Sequence, residues 1–284
     1  MLEPLRNRPA VNASPAGRGV AAARPETPRR QSDRDRGRTV AITGASGALG
    51  QALLRRWHDR GGQLIALSHS DRPLRLDDGE GRPIPLRQQR WRVGEEAALR
   101  LLLADVDVLV LNHGVNVHGQ RSAEAIELSL EVNALSTWRL LELFADVVSQ
   151  RQAEADEASW GGSATQRPKA EVWINTSEAE FQPCLSPLYE ISKRLMGQLL
   201  SLRAPLLHRH LRLRRLVLGP FRSELNPIGL MGADFVAAWI LRQADWGWNL
   251  IVVTPNPITY VVMPLVTLTR WLYYGLLGRD AKGS

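Results

Sequence analysis

The sequence predicts an α/β protein built on a doubly wound parallel sheet in a single domain. Three observations carry that prediction. Short β-rich runs alternate with longer helical patterns from Thr39 to Val253, and the first run ends in a glycine-rich turn that opens a helix. Size is the third: the chain has 284 residues, 44% of them hydrophobic, enough for one large domain with a sizeable core.

Residues 1–38 precede the pattern. They hold nine arginines and four acids, are rich in Pro, Ala and Ser, and read as a solvated, disordered arm. Of the formal charge of +7, this arm carries +5, so the remaining 246 residues carry only +2. The arm lacks the apolar middle of a secretory signal. No aromatic is interleaved with its arginines and no binding module follows, so no nucleic-acid partner is expected. The single Cys184 excludes an intramolecular disulfide framework, which makes a reducing, cytoplasmic compartment the default.

The domain itself is expected over 39–257. Thr39–Thr43 is its first strand, Gly44–Gly50 the turn, and Ala48–Arg60 a helix stopped by Gly61-Gly62. Leu64–Ser68, Asp107–Leu111, Val172–Asn175, Leu213–Leu218 and Leu250–Val253 are the further strands. Helical patterns cover 95–104, 123–150, 187–204 and 232–244, and 151–170 reads as a polar surface insertion. Residues 258–284 form an apolar C-terminal helix and tail. No charge occurs from Trp246 to Thr269; Pro255 and Pro257 break this run, and a helix over Pro264–Leu277 is hydrophobic on nearly all sides. Such a helix must be buried: on the domain, across a homodimer or tetramer interface, or at a membrane surface through 258–277, with Arg270 snorkelling. No run of ~18 uninterrupted apolar residues predicts a conventional membrane span.

The turn reads TGASGALG from Thr43 to Gly50. Glycines between a strand and a helix let a pyrophosphate approach the backbone, and the helix N-terminus offers free N–H groups and positive dipole. Gly44, Ser46, Gly47, Leu49 and Gly50 are therefore candidate cofactor-binding residues. The end of the second strand decides between cofactors: an acid there bonds ribose hydroxyls, whereas a polar or basic cluster accepts a 2′-phosphate. Ser68 and His69 hold those positions with Arg72 in reach, and Asp71 comes three residues late, so NADP(H) is favoured over NAD(H).

Tyr189 and Lys193 stand four apart in a helical segment, hence on one face. The chain has 33 arginines but only three lysines, and random placement gives about 0.04 Tyr-x-x-x-Lys pairs. An ammonium beside a phenol stabilises the tyrosinate and lowers its pKa. A compact ammonium also reaches ribose hydroxyls, which a planar guanidinium does poorly. Ser177 follows a strand and can hydrogen-bond a substrate oxygen; Asn133 lies mid-helix among Val132, Leu135 and Trp138. Taken singly, Ser177 reads as a cap and Asn133 as a buried amide bonded to backbone.

Taken together, Thr43–Gly50, Asn112-His113-Gly114, Asn133, Ser177, Tyr189/Lys193 and Gly219 resemble, in order, the motifs of the short-chain dehydrogenases/reductases, across about residues 39–255. The resemblance implies a Rossmann-type sheet and a bound nicotinamide cofactor, with Asn112, Gly114 and Gly219 added to the cofactor-binding residues. It implies Tyr189 as general acid/base, Lys193 on the ribose, Ser177 polarising the substrate oxygen and Asn133 holding a relay water. The runs LNHGVNVHG, INTSEAE and LGPFRSELNPIG look like a cyanobacterial branch often labelled together with sterol desaturase, which hints at a lipid substrate. Departures touch the cofactor: glycines at 44, 47 and 50 have the spacing of extended and atypical branches, His113 replaces a small residue, Leu218 stands for the Pro of Pro-Gly, and Arg92 occupies the place of an acid.

His113 and His118 have no companion acid or cysteine, so no metal site is indicated. Cys184 has no nearby partner and reads as packing. Nine tryptophans are scattered along the chain, which suggests core and interface use. The expected function is an NADP(H)-dependent carbonyl reductase or alcohol dehydrogenase acting on a small lipophilic ketone, aldehyde or alcohol. A non-catalytic dinucleotide-binding sensor and an epimerase or dehydratase are the rivals. The glycine spacing favours the epimerase, whereas the 91 residues after Lys193 leave little room for a sugar-nucleotide domain.

Overall fold

Strands β1 (Thr39–Thr43), β2 (Gln63–Ser68), β3 (Arg87–Arg90), β4 (Val108–Leu111), β5 (Glu171–Ser177), β6 (Arg212–Leu218) and β7 (Leu250–Val253) form one sheet. Its order is β3-β2-β1-β4-β5-β6-β7, and every pairing is parallel. The computed structural model describes residues 35–159 and 168–277. The strand order reverses between β1 and β4, so a crevice opens above their C-terminal ends.

Alternate strand residues point to opposite faces, and each face buries its own core. Val40, Ile42, Val108, Val110, Trp173, Leu216 and Leu218 pack against α1 (Ala48–Asp59) and α6 (Ala233–Asp245). Ala41, Leu109, Leu111, Val172 and Ile174 pack against α4 (Ser136–Ser159) and α5 (Pro187–Leu207). The predicted class, an α/β doubly wound sheet, is the observed one.

Several boundaries move. Strand β3 has no apolar residue in RQQR; it exists because β2 offers a free edge, which Arg87–Arg90 fill in register with Ile65–Ser68. The segment expected as one helix at 123–150 is α3 (Ala123–Leu130), a π-turn (Glu131–Leu135) and α4, which continues to Ser159. The segment at 95–104 is a 3-10 turn (Glu96–Leu99) running into the single-turn helix α2 (Arg100–Leu103). Residues 35–38, grouped by composition with the arm, are folded: Asp35 and Arg38 are buried, with Arg60 2.7 Å from Asp35 and Arg38 3.1 Å from Glu171. Residues 1–34 lie outside the described residues, as do 160–167 of the expected insertion, whose first part, 151–159, is the last stretch of α4 and not a loop.

The C-terminal helix α7 spans Pro257–Leu277. Pro257 starts it, as proline can at the first helical position, and Pro264 lies inside it. It rests on β6 and β7 through Met263, Val217 and Val252. Its expected burial is not met among the described residues: Thr259 and Met263 are buried, while Ile258, Val261, Leu265, Leu268, Leu272 and Leu276 are exposed. No helix among the described residues is long and apolar enough to cross a membrane.

Candidate active site

The C-terminal ends of β1, β4, β5 and β6 bring the predicted residues to one edge of the sheet. Gly44 has φ +62°, a conformation that L side chains avoid, and a Cβ there would press on the Asn112 carbonyl and His113 Cα at 3.0 Å. A Cβ at Gly50 would collide with the Gly44 carbonyl. Gly47 caps α1 with no side-chain hydrogen bond to the first turn. The result is a bare backbone concavity facing a helix N-terminus, which fits a dinucleotide pyrophosphate. Ser46 is partly exposed at its rim. Leu49 is the exception: its side chain is buried in the core, so only its backbone belongs to the cradle.

The end of β2 is shaped by β3. Gln88 Nε2 donates to the Ser68 hydroxyl and to the Ser70 and Arg72 carbonyls at 3.3, 3.3 and 2.9 Å, while its Oε1 accepts from the Leu74 N–H at 2.7 Å. Ser68 is buried and donates to the Ser70 carbonyl, which turns its hydroxyl inward. His69 and Arg72 are exposed. Asp71 is held by Arg90 at 2.7 Å. Neither Gln88 nor Arg90 was identifiable from the sequence, because their strand lacks any apolar signal.

Thr43, the last residue of β1, is a hub that the glycine pattern hides. Its hydroxyl accepts from the N–H groups of Asn112 and His113 at 2.9 and 3.3 Å and lies 2.9 Å from His113 Nδ1. Burial, then the nearby Lys193 charge, push His113 down to about 3, so this imidazole is neutral. Asn112 Oδ1 accepts from Asn175 Nδ2 at 2.8 Å, and the Asn175 carbonyl accepts from Lys193 Nζ at 3.1 Å. Asn175 thus links the cradle to the lysine; its position two residues before Ser177 was the available signal.

Helix α5 carries Tyr189 and Lys193 on one face, with Lys193 Nζ 5.5 Å from the Tyr189 ring centre. The Ser177 hydroxyl, which donates to the Leu218 carbonyl at 3.4 Å, is close enough to Tyr189 to favour its ionised form. Burial pushes the phenol up to about 12, against the lowering by Ser177. The sequence-based expectation was a depressed value; burial outweighs the lowering by Ser177, and burial likewise pulls Lys193 down to about 8. Ser177 serves two purposes, because its hydroxyl also accepts from the Ala179 N–H at 3.2 Å and caps the 3-10 turn Glu178–Glu180.

Asn133 lies within the π-turn, a deformation common at functional sites. Its Oδ1 accepts from the Val115 N–H at 2.8 Å, and its Nδ2 donates to the Val115 carbonyl at 2.9 Å and the Ser192 hydroxyl at 3.0 Å. The amide is therefore spent on fixing the loop after Asn112 against α5, and has no donor left for the water that the resemblance implied. Gly114 faces it, where a Cβ would stand 3.1 Å from Oδ1. Gly219 closes the far side, packed on Thr254 too tightly for any side chain.

The model of the NAD dependent epimerase/dehydratase family matches residues 40–204, more than half of the chain. The chain belongs to that family. Monoglucosyldiacylglycerol epimerase of Synechocystis sp. is 41% identical over 239 residues, 84% of this chain and 54% of the relative. The chain thus spans about half the length of that curated relative. In solved structures the fold is that of short-chain dehydrogenases. The enzyme of Burkholderia cenocepacia in complex with NADP superposes with TM-score 0.63 at 16% identity, covering 87% of this chain and 99% of the other. That of Sphingobium yanoikuyae in complex with NADPH gives 0.61 at 19%, covering 87% and 98%.

Proposed function

We propose that the chain is an NADP(H)-dependent enzyme that inverts a secondary alcohol in the head group of a glycolipid. The observation that carries the reading is the convergence of Tyr189, Ser177 and Lys193 beside a side-chain-free cradle. Gly44, Gly47, Gly50, Asn112, Gly114, Lys193 and Gly219 would hold the dinucleotide. When bound, it supplies a hydride acceptor and donor that no side chain provides.

The protein's own part is proton control. A buried phenol with a raised pKa is protonated at neutral pH, the form that donates to a carbonyl oxygen. To accept the proton of an alcohol it needs positive charge close by, and the Lys193 ammonium provides it. Ser177 orients the same substrate oxygen. For inversion, Tyr189 would take the hydroxyl proton and later return it to the same oxygen. The carbon-bound hydrogen would leave one face of the carbon and come back on the other, so the site must keep the carbonyl compound bound and let it turn over in between.

The glycolipid is supported by the relative named above, and by exposed apolar residues on the loops around the site: Leu185, Ile228 and Leu230. NADP(H) is supported by the Asp71–Arg90 pair, which withdraws the acid nearest the end of β2 from the ribose hydroxyls and leaves Arg72 exposed beside it. The outer stripe of α7 supports contact with the lipid surface that carries the substrate; the full chain should then sediment with glycolipid vesicles, and Leu265→Glu/Leu268→Glu should stay in solution. Concentration-dependent dimerisation lost in the same variant would assign the stripe to a second copy instead.

The deciding assay incubates the full chain with NADP⁺ and monoglucosyldiacylglycerol in detergent micelles and identifies the released sugar by NMR. The expected result is an epimeric sugar with no net change in reduced nicotinamide. Net oxidation of NADPH by lipophilic ketones, without inversion, returns the chain to a carbonyl reductase. Full activity in Tyr189→Phe overturns both.

A further inference from the structure

The turn that follows Ser177 is tied to the C-terminal segment at every second residue. Glu178 Oε2 accepts from the Thr254 and Thr259 hydroxyls at 2.7 and 3.1 Å. Glu180 Oε2 accepts from Arg270 of α7 at 2.8 Å, and Gln182 Oε1 from the Asn256 amide at 2.9 Å. Glu180 is the buried centre of this arrangement, 2% exposed.

Its carboxylate lies where Gly197, one turn beyond Lys193, leaves room. A Cβ on Gly197 would overlap Glu180 Oε2. Arg215 of β6 approaches from below, 3.5 Å from the carboxylate, and donates to the Gly197 carbonyl and the Ser201 hydroxyl at 3.2 and 2.8 Å. Four elements therefore meet at one charge: the Ser177 turn, α5, β6 and α7. The cluster is not saturated, since Glu180 Oε1 and Arg215 Nη1 have no hydrogen-bond partner among the described residues. Buried ion pairs are costly, and well-packed apolar residues often match or exceed their stability. An incompletely bonded one at this place calls for a purpose other than stability.

We propose that Glu180 is a positioning residue of the active site: it holds the Ser177 turn against the Tyr189/Lys193 helix and supplies counter-charge to Lys193, and Arg270 makes α7 part of that framework. The surroundings of the ammonium single out this carboxylate. Lys193 faces the neutral Tyr189 ring at 5.5 Å, the Asn175 carbonyl at 3.1 Å and the neutral His113. Burial lowers its pKa, and the charge of Glu180 opposes that lowering. Glu180 itself is faced by Arg215 and Arg270. The inference rests on the reading of Lys193 as a cofactor-contacting group.

The test titrates NADPH into the full chain by fluorescence between about pH 6 and 10, with no substrate present. Wild-type affinity should fall with a midpoint near the Lys193 pKa, because the ammonium is the binding form. In Glu180→Gln that midpoint should move down by about one unit, and kcat in the epimerase assay should fall while KM holds. Arg270→Gln keeps the carboxylate and should not move the midpoint down, yet amide hydrogen exchange over 177–182 should speed up. A merely structural cluster would shift stability in both variants and the midpoint in neither, and an unmoved midpoint in folded Glu180→Gln overturns the proposal. Should Glu180→Gln fail to fold, a downward midpoint or unchanged exchange in Arg270→Gln overturns it. Failure of the wild type to bind NADPH or NADH at any pH would instead refute the proposed function, and the exchange comparison would still decide whether α7 holds the Ser177 turn.

Discussion

The two edges of the sheet use the same strands and opposite chemistry. At the N-terminal edge, charges are buried and paired. Glu171 bonds Arg38 at 3.1 Å, Arg214 at 2.6 Å and the Trp173 indole N–H at 2.9 Å. Arg60 joins Asp35 and Asp245 at 2.7 Å each. At the C-terminal edge, burial works against the charged forms: Tyr189 is pushed up, Lys193 down and His113 further down. One edge uses burial to hold the fold together, and the other uses it to set proton affinities. Substitutions should therefore separate the edges, with activity lost without stability above and stability lost without activity below.

The largest effect belongs above. Tyr189→Phe removes only the hydroxyl, so turnover should drop by about 10³-fold or more while the unfolding temperature and NADPH affinity stay near wild type. A comparable loss of NADPH affinity would place the phenol in cofactor binding and blur the separation.

The counterpart below is Glu171→Gln. It strands Arg214, which is 1% exposed, and should cost about 3 kcal/mol, read as a lower denaturant midpoint with cofactor affinity unchanged in the folded protein. Acid should mimic it. Burial alone would raise the Glu171 pKa, but Arg214 and Arg38 more than offset this and hold it at about 2. The folded value lies below the unfolded one, so this stabilisation is present above about pH 4.5 and is lost as pH falls towards 2. A stability curve flat from about pH 5 to 2 would mean that the network contributes nothing.

How far the sequence revealed each edge follows from the range of its interactions. The cradle was legible because strand, turn and helix are contiguous from Thr39 to Asp59, and the glycine requirement is local. Tyr189 and Lys193 were legible because helical spacing alone places them together. The lower network joins Arg38 to Glu171, 133 residues apart, and residues 35–38 looked like part of a basic arm because charge composition cannot tell a buried arginine from a solvated one. Glu180 and Arg270 lie 90 apart, beyond any periodicity. The phenol pKa was misjudged in direction for the same reason: sequence spacing reveals a neighbouring charge, whereas burial, the stronger influence here, is a property of the whole fold.

Strand β3 belongs to neither edge's pattern, and it sharpens the comparison most finely. Arg90 stands at the upper end of β3, paired in register with Ser68, yet its ion pair with Asp71 is exposed like those of an ordinary surface. Exposed pairs contribute little to stability, so Arg90→Ala should leave the unfolding temperature unchanged. If the pair instead serves the cofactor, the freed Asp71 repels a 2′-phosphate and one cation is lost. NADPH affinity should then fall about tenfold, or ~1.4 kcal/mol, and NADH affinity should hold or rise. Because only one of the two dinucleotides carries the extra phosphate, equal weakening of both would trace the effect to the Gln88-shaped loop and not to charge. A surface ion pair would in that case be neutral for stability and unselective for ligand, and the functional edge would end at β2.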